Sequence, residues 1–368
     1  MDLSRFPRRQ YTQGFSPIEF LPNFTRALGG PKVWIKRDDM LGLAPGGNKT
    51  RKLEFLMGDA LAKGADTLIT CGAPQSNHCR ITLSAAVKEG MKCRFVIEER
   101  VPNSYDPNAS GNNFMYRLLG VEAITVVPAG TNMAEAMEKV AAEARSQGRK
   151  PYIIPGGGSN AIGGLGYVAC AQELQQQLFE MGQPMDYVVV GSGSSGTHGG
   201  LVAGFLGNNI RIPLVGVGVS RDPADQNPLV LKEAQAIMDL LQTGIRVPQE
   251  AVVSYGDWWR PKYSIPNPAM VEAVQLLART EAILLDPVYT GKIMAGLIGL
   301  QPASIELNRL RAIGWRSREV FVALDPRFWG RGIAARALDA VAAPEARGLH
   351  AAHRRADRQH AHPRAGRA

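Results

Sequence analysis

The sequence predicts an α/β fold with two lobes, each an open, twisted parallel sheet with helices on both faces. Short β-branched runs alternate with longer helical patterns from the first third of the chain onward, which is typical of parallel sheets joined by right-handed crossovers. A length of 368 residues suits two domains, each with its own core. Ligands of such sheets bind beyond the carboxyl ends of the strands, so the loops at those ends are the first candidates for a site.

The predicted elements follow one another as strand and helix. Strands are predicted at residues 33–36, 67–70, 94–98, 123–127, 152–154, 187–190 and 213–217. Helices are predicted at residues 51–63, 78–89, 113–119, 134–147, 164–181, 197–206 and 228–242. This order predicts a larger lobe from residues 1–50 and 160–300 and a smaller lobe from residues 51–159. Residues 301–368 form a segment of different composition.

The composition is that of a globular protein, with 45% apolar and 20% charged residues. No apolar run is long enough to span a membrane, and residues 1–11 lack the hydrophobic core of a secretion signal. Cys71, Cys79, Cys93 and Cys170 show neither zinc-ligand spacing nor a dense disulfide framework. We therefore expect a cytoplasmic protein with no metal site and no membrane partner.

The net charge of +9 is concentrated at one end of the chain. Residues 301–368 contain 13 arginines, no lysine and six acidic residues, so the rest of the chain is nearly neutral. A nucleic-acid partner would require a basic surface on the folded body. The sequence therefore predicts no nucleic-acid partner.

The most informative stretch is Gly-Gly-Asn-Lys-Thr-Arg-Lys-Leu-Glu at residues 46–54. Two glycines allow a tight turn that can approach a ligand closely, and a helix start offers unpaired N–H groups and a positive dipole end. Such an electropositive position favours the neutral, nucleophilic amine of Lys49. Taken alone, the stretch is more typical of a solvated basic helix start.

A second loop, Gly-Ala-Pro-Gln-Ser-Asn-His at residues 72–78, follows a predicted strand. Its hydroxyl and amide side chains are typical of helix caps. The same geometry binds a carboxylate, because free N–H groups at a helix start point at the anion. Both interpretations stay open at this point.

A third loop, residues 191–200, places glycines and hydroxyls before a helix and predicts a nest of N–H groups for a phosphate. It also matches a dinucleotide fingerprint, but the next predicted strand ends in Gly218, Val219 and Ser220 and not in the acid that holds a ribose. A monophosphate is therefore the better fit. A further glycine-rich loop, residues 156–160, predicts either close approach to a ligand or a flexible turn.

A helix-start lysine, a phosphate cradle and a carboxylate site together indicate a phosphorylated carbonyl cofactor. Pyridoxal 5'-phosphate fits this description, because a lysine holds its aldehyde and a nest holds its phosphate. The substrate is then a small amino acid.

Residues 1 to about 300 resemble fold type II pyridoxal-phosphate enzymes, in the group that contains D-cysteine desulfhydrase, 1-aminocyclopropane-1-carboxylate deaminase and L-cysteate sulfo-lyase. The resemblance lies in residues 34–39, 46–54, 75–78, 155–158, 191–197 and 286–292. These motifs occur in the same order as in the group and extend over about four-fifths of the chain. The resemblance also implies a homodimer.

The resemblance also implies roles for individual residues. Lys49 is the Schiff-base lysine, Asn77 binds the ring oxygen of the cofactor, and Ser76 holds the substrate carboxylate. Tyr263 and Tyr289 face the substrate from the other side of the cleft. The phosphate is held by Lys52 together with Ser192, Gly193, Ser194, Ser195, Gly196 and Thr197.

Thr290 distinguishes among the possible substrates. It falls where this group places a side chain near the pyridine nitrogen, and the cyclopropane-opening deaminases carry Glu there. A neutral Thr implies a weaker electron sink, which suits β-elimination from a small amino acid. D-cysteine is therefore the favoured substrate, giving pyruvate, ammonia and sulfide. Cleavage of 1-aminocyclopropane-1-carboxylate or L-cysteate is the alternative.

The resemblance stops near residue 300, and we expect the last strand of the group to be missing. Residues 320–338 resemble a short fragment of Gcn5-related acetyltransferases, and residues 342–368 are mostly Ala, Arg and His, typical of a disordered end. We interpret this segment as a gene fusion followed by a shifted reading frame. An inactive remnant with an exposed sheet edge is therefore a competing hypothesis, and an NAD oxidoreductase is a distant third.

Overall fold

Two separate sheets form the framework in the computed structural model, which describes residues 1–303 and 319–323. Both sheets are built mainly from parallel strands and are joined by helices. The predicted α/β class with open parallel sheets is confirmed. Across the two described ranges, every helix is too short or too polar to cross a lipid bilayer.

The larger sheet consists of β1 (Ile18–Phe20), β2 (Lys32–Lys36), β7 (Tyr187–Ser192), β8 (Leu214–Gly218), β9 (Val253–Tyr255) and β10 (Glu319–Ala323). Their spatial order is β1-β2-β10-β7-β8-β9, and only β1 runs antiparallel to its neighbour. Val188 and Val190 of β7 belong to one hydrophobic core, and Val189 belongs to another. Both faces of the sheet are therefore buried, as is usual for parallel strands.

The smaller sheet consists of β3 (Thr67–Gly72), β4 (Lys92–Glu99), β5 (Ala123–Pro128) and β6 (Pro151–Ile154). All its pairs are parallel, in the order β5-β4-β3-β6. Leu68 packs on one face and Ile69 on the other. All four strands lie between residues 67 and 154, whereas the lobe boundaries given above stay predictions.

Ten helices lie within the described ranges. They are α1 (Pro22–Leu28), α2 (Lys49–Ala62), α3 (Asn77–Lys88), α4 (Asn112–Leu118), α5 (Met133–Ser146), α6 (Ala161–Met181), α7 (Gly196–Gly207), α8 (Pro223–Leu240), α9 (Pro268–Glu281) and α10 (Thr290–Ala303). α6 packs against α2, α7 and α8. A Cβ at Gly166 of α6 would lie 2.2 Å from the carbonyl oxygen of Arg51, so glycine allows the two backbones to touch. This contact fixes the first turn of α2.

The predicted strands and helices all have counterparts in the structure, with bounds shifted by a few residues. The sequence analysis missed α1, α9, α10, β1 and β9. α1 and α9 begin at Pro22 and Pro268, and proline is favoured in the first turn of a helix. β1 and β9 have three residues each, too few for a periodic pattern.

The expectation of a missing last strand is wrong. β10 lies inside the larger sheet, parallel to β2 and to β7, and its Phe321 is opposite Trp34 on one side and Val188 on the other. Residues 320–323 therefore belong to this sheet. β10 is an interior strand of the larger sheet, whereas the sequence analysis expected an exposed sheet edge. The remainder of the acetyltransferase-like stretch and the tail lie outside the described residues.

Candidate active site

A cavity of about 220 Å³ lies between the two sheets. It is lined by the loops that follow β3, β6, β7 and β8, and also by the starts of α2 and α10. These loops leave the carboxyl ends of their strands, which is where parallel sheets bind ligands. The lysine turn, the second loop and the third loop of the sequence analysis all line this cavity.

Lys49 is the first residue of α2, and its partly buried side chain lines the cavity. The preceding turn has Gly46 at φ +89° and Gly47 at φ +129°, and a Cβ at Gly46 would lie 1.7 Å from the carbonyl oxygen of Asp39. Only glycine fits this backbone. The Lys49 Nζ donates to Asn48 Oδ1 at 2.9 Å and lies 5.9 Å from the centre of the Tyr289 ring. The lysine therefore points into the cavity.

A buried ionic network supports the lysine turn from below. Arg51 Nη1 donates to Glu173 Oε2 at 2.7 Å, Arg51 Nη2 donates to Asp38 Oδ1 at 2.8 Å, and Tyr167 donates its hydroxyl to Asp38 Oδ2 at 2.9 Å. Burial raises the pKa of Asp38, but the Arg51 guanidinium outweighs this and lowers it overall. Because α2, α6 and the segment after β2 each contribute to this network, the position of Lys49 is set by three parts of the chain.

The predicted phosphate cradle lies at the start of α7. Ser195 has a φ of +68°, which is rare for a residue with a side chain and is common at functional turns. Ser159 Oγ accepts the N–H of Gly196 at 3.2 Å and donates to Ser194 Oγ at 2.9 Å. A Cβ at Gly196 would lie 2.9 Å from the Nζ of Lys52. The loop, the glycine-rich loop after β6 and Lys52 therefore meet at one point.

Lys52 is fully buried, and its Nζ donates to the carbonyl oxygen of Gly157 at 3.0 Å and to Ser159 Oγ at 3.3 Å. No carboxylate within the described ranges forms a salt bridge with it. Burial, and then the charge of Lys49, hold the pKa of Lys52 well below its usual range. An anion bound at the cradle would stabilise the charged form of Lys52, since a buried cation is stabilised by a charged partner.

The predicted phosphate residues do not all face the cavity. Gly193, Ser194, Ser195 and Thr197 line it. Ser192 is buried behind the loop, where its hydroxyl contacts His198 Nδ1 at 3.1 Å and accepts from Gln226 Nε2 at 3.0 Å. The side chain of Ser192 thus anchors the end of β7 in the core.

The second loop caps α3 and also faces the cavity. Ser76 is the N-cap, and its Oγ accepts the N–H of Cys79 at 3.2 Å. Asn77 lines the cavity, and its Oδ1 accepts from Asn112 Nδ2 at 2.9 Å, so its amide nitrogen is turned away from that contact. Arg80 of α3 donates to the carbonyl oxygens of Ala44 and Gly46, which ties this loop to the lysine turn.

His78 has a defined tautomer. Thr70 donates its single hydroxyl proton to the carbonyl oxygen of Ile154 at 2.8 Å, so at 2.7 Å it accepts from Nε2 of His78. Burial, and then the charges of Lys49 and Lys52, lower the pKa of His78 to about 3. His78 Nδ1 is therefore an acceptor, and within residues 1–303 it has no hydrogen-bond partner.

Tyr263 and Tyr289 line the opposite wall, and their hydroxyl groups are hydrogen-bonded to each other. Burial in the cleft raises the pKa of both phenols, so both stay protonated at neutral pH. The loop that carries Tyr263 is held by Lys292, whose Nζ donates to the carbonyl oxygens of Trp259 and Lys262 at 2.9 and 3.0 Å. Burial lowers the pKa of Lys292 to about 8.

Thr290 lines the end of the cavity and is 1% exposed. Its hydroxyl donates to Asp286 Oδ2 at 2.7 Å and accepts the N–H of Asp286, also at 2.7 Å. The Asp286 carboxylate also accepts the N–H groups of Val288, Tyr289 and Thr290, and it does not line the cavity. The group that faces a ligand here is therefore the neutral threonine.

Residues 10–310 match the family described as pyridoxal-phosphate dependent enzymes. The chain belongs to this family. Its cofactor is therefore pyridoxal 5'-phosphate, as predicted. The match extends over the lysine turn, the cradle and Thr290.

Three solved structures are similar to this chain. A protein titled an ACC deaminase homologue has 33% identity and a TM-score of 0.75, covering 88% of this chain and 93% of that one. A pyridoxal 5'-phosphate-dependent aspartate racemase has 16% identity and a TM-score of 0.59, covering 86% and 91%. An L-serine ammonia-lyase from the fungus Rhizomucor miehei has 19% identity and a TM-score of 0.57, covering 86% and 94%. The last two show the shared fold alone.

The residues present fit the cofactor. The cradle offers N–H groups and hydroxyls for a phosphate, with the buried amine of Lys52 beside it, and Lys49 offers an amine for an aldehyde. Gly196 leaves room there, because a Cβ would lie 2.6 Å from Ser159 Oγ. Thr290 and Asn77 line the remaining walls.

The sequence analysis missed several residues that shape the site. Asn48, Ser159 and Asp286 lie within the sequence motifs at residues 46–54, 156–160 and 286–292, and membership of these motifs was the signal that could have found them. His78 is the last residue of the second loop, and the sequence analysis assigned it no role. Glu98 and Arg100 also line the cavity, and their place at the carboxyl end of the strand predicted at residues 94–98 was the signal that could have found them.

Replacing Lys52 by methionine is expected to weaken cofactor binding. A hydrogen bond to a charged group is worth about 1.5–3 kcal/mol, so the Kd for pyridoxal phosphate should rise roughly tenfold to a hundredfold. The apo protein should keep its Tm, because the variant removes a buried amine that forms no salt bridge within the described ranges and leaves a side chain of similar size. Fluorescence titration and thermal unfolding measure the two effects.

Lys63→Met is the matched control, since Lys63 is the C-cap residue of the same helix and 60% of its side chain is exposed. The wild type should bind inorganic phosphate more weakly as pH rises, because the lowered pKa of Lys52 leaves the amine uncharged at high pH. Lys52→Met should lose this dependence. Equal cofactor affinities in Lys52→Met and wild type would remove Lys52 from the cradle.

Proposed function

We propose that this protein is a lyase that eliminates the β-substituent of a small amino acid, with D-cysteine as the preferred substrate. The reaction consumes D-cysteine and water and gives pyruvate, ammonia and hydrogen sulfide. The observation that carries this proposal is Thr290, a neutral side chain at the end of the cavity where the resembling deaminases have Glu. A weaker electron sink suits a reaction in which a good leaving group departs from Cβ.

The chain's own residues supply binding and proton transfer. Ser76 and the N–H groups at the start of α3 hold the substrate carboxylate, and Asn77 binds the ring oxygen of the cofactor. Lys49 removes the proton from Cα as a general base, and the bound cofactor supplies the electron sink for the remaining charge. Lys52 and the cradle hold the cofactor's phosphate.

Tyr289 is the proposed proton donor to the departing sulfur. Its raised pKa keeps the phenol protonated, and its ring lies 5.9 Å from the Nζ of Lys49, the base on the other wall. Tyr263 holds the hydroxyl of Tyr289 through their mutual hydrogen bond. The two proton-transfer groups therefore flank the space for the substrate's Cα and Cβ.

A second candidate is deamination of 1-aminocyclopropane-1-carboxylate, because the solved structure with 33% identity is titled an ACC deaminase homologue. Elimination of sulfite from L-cysteate is a further alternative on the same site. The homodimer and the cytoplasmic location stay predictions.

Product analysis separates these candidates. The purified protein, loaded with pyridoxal phosphate, is incubated with D-cysteine, L-cysteine, 1-aminocyclopropane-1-carboxylate or L-cysteate. We expect sulfide and pyruvate in equal amounts from D-cysteine, and far less product from the others. Formation of 2-oxobutyrate from the cyclopropane without sulfide from D-cysteine would instead favour the deaminase. The absence of every product from a loaded protein would support the inactive remnant.

A further inference from the structure

Arg100 spans the mouth of the cleft. It directly follows β4 of the smaller sheet, and its guanidinium carbon lies 4.4 Å from the ring centre of Tyr263, which belongs to the segment after β9 of the larger sheet. This distance is that of a cation–π contact. Both side chains line the same cavity as Lys49. Arg100 therefore holds a positive charge on the substrate's side of the two tyrosines.

One edge of the Arg100 guanidinium forms no hydrogen bond to the residues that the structure describes. Its Nε donates to Glu98 Oε2 at 2.7 Å, while Nη1 and Nη2 form no hydrogen bond to any residue that the structure describes. Glu98 is itself fixed, because its Oε1 accepts the N–H of Gly130 at 3.1 Å. With 42% of its side chain exposed, Arg100 can present two terminal nitrogens to a molecule in the cavity. A guanidinium edge suits an oxyanion or a thiolate.

The other anions of the proposed reaction already have sites. The phosphate belongs to the cradle at the start of α7, and the substrate carboxylate belongs to the start of α3. Arg221 also lines the cavity, but its Nη1 donates to the carbonyl oxygen of Gly193 in the cradle. Glu98 pairs with Nε of Arg100, and neither anion of the reaction accounts for its two terminal nitrogens.

We propose that Arg100 forms an anion subsite for the β-substituent of the substrate, so that the site prefers amino acids whose Cβ carries a thiolate, a sulfonate or another negative group. This inference rests on the proposed function. Tyr289 and Arg100 then act on the same substituent: the electron pair left at Cα forms the Cα–Cβ double bond, the C–S bond breaks with its pair on sulfur, Arg100 stabilises that charge, and Tyr289 supplies the proton.

A pair of isosteric amino acids tests the subsite without turnover. Aspartate carries a negative charge beyond Cβ, and asparagine has the same shape without it. Binding of each enantiomer to the loaded protein is measured from the change in the cofactor's absorption. We expect the wild type to prefer aspartate, and Arg100→Met to weaken aspartate about tenfold and asparagine less than twofold, a modest effect because the arginine is partly exposed.

Two further variants exclude a general structural effect. Arg100→Lys keeps the charge but not the fork, so it should recover part of the aspartate affinity. Arg145→Met removes an exposed arginine of α5, in a surface ion pair with Glu138 and away from the cavity, and should bind both amino acids as the wild type does. An equal loss for aspartate and asparagine in Arg100→Met would overturn the subsite, as would a wild type without preference.

Turnover gives an independent measure. With Arg100→Met, kcat/KM for pyruvate release should fall about tenfold for cysteate and stay within twofold for β-chloroalanine, whose β-substituent is uncharged. If the loaded wild type releases no pyruvate from any amino acid, the proposed lyase fails, and the aspartate-to-asparagine ratio still decides the subsite. If the loaded protein binds neither amino acid, the subsite fails, and pyruvate release from D-cysteine still decides the proposed lyase.

Discussion

The variant Lys49→Ala is expected to lose all turnover and the visible absorption band of the lysine-bound cofactor. Lys49 begins α2, projects into the cavity and lies 5.9 Å from the Tyr289 ring. A general base contributes about a hundredfold to ten-thousandfold, and the same amine forms the covalent bond to the cofactor. Loss of both roles should leave no detectable sulfide or pyruvate.

Reduction with borohydride gives a readout that does not depend on activity. In the wild type, the peptide that contains Lys49 should gain the mass of the reduced cofactor, and in Lys49→Ala no peptide should gain it. Lys49→Arg is the matched variant, because it keeps a cation at the start of α2 and still cannot form the bond. Lys63→Ala should behave as the wild type. A visible band and a labelled peptide that persist in Lys49→Ala would contradict the assignment.

A chain that ends at residue 303 is expected not to fold. β10 lies between β2 and β7, with five residues opposite β2 and four opposite β7. Neighbouring strands are about 4.8 Å apart, so its loss leaves a central gap and strips β2 and β7 of their partners. Each buried backbone group without a partner costs about 1–3 kcal/mol, and several of them exceed the total stability of roughly 5–15 kcal/mol of an ordinary domain.

Solubility, circular dichroism and thermal unfolding measure this effect. A chain that ends at residue 341 is the control, because it keeps β10 and removes the Ala-, Arg- and His-rich tail. A single change makes the same test: Val322→Pro removes a backbone N–H from β10, whereas Val322→Ile keeps it. A 1–303 chain with the Tm of the full protein would show that β10 contributes nothing to the sheet.

Much of the framework follows from local patterns. The strands of the smaller sheet are short β-branched runs bounded by helices. The lysine turn is recognisable in the sequence because Gly46 and Gly47 precede a helix with Lys49 at its first position. These features depend on residues close in sequence. Backbone preference and periodicity therefore suffice to predict them.

The place of β10 was not predictable in this way. A run such as Val320-Phe321-Val322-Ala323 predicts a strand but not its partners, and the change in composition after residue 300 favoured an exposed edge. The partners are set by long-range pairing with β2 and β7, which are 287 and 133 residues away in the register pairs Glu319–Lys32 and Val320–Tyr187. No local pattern contains that information.

The sequence by itself determined the fold class and the cofactor, and it predicted the lysine and the loop of the phosphate cradle, because these motifs consist of neighbouring residues whose backbone and charge act locally. Tertiary structure alone decided that Ser192 faces the core, that Asp286 holds the hydroxyl of Thr290, and that Arg100 reaches Tyr263 across the cleft. Side-chain direction and contacts between distant segments depend on how helices and sheets pack. Local sequence patterns do not contain the information that specifies this packing.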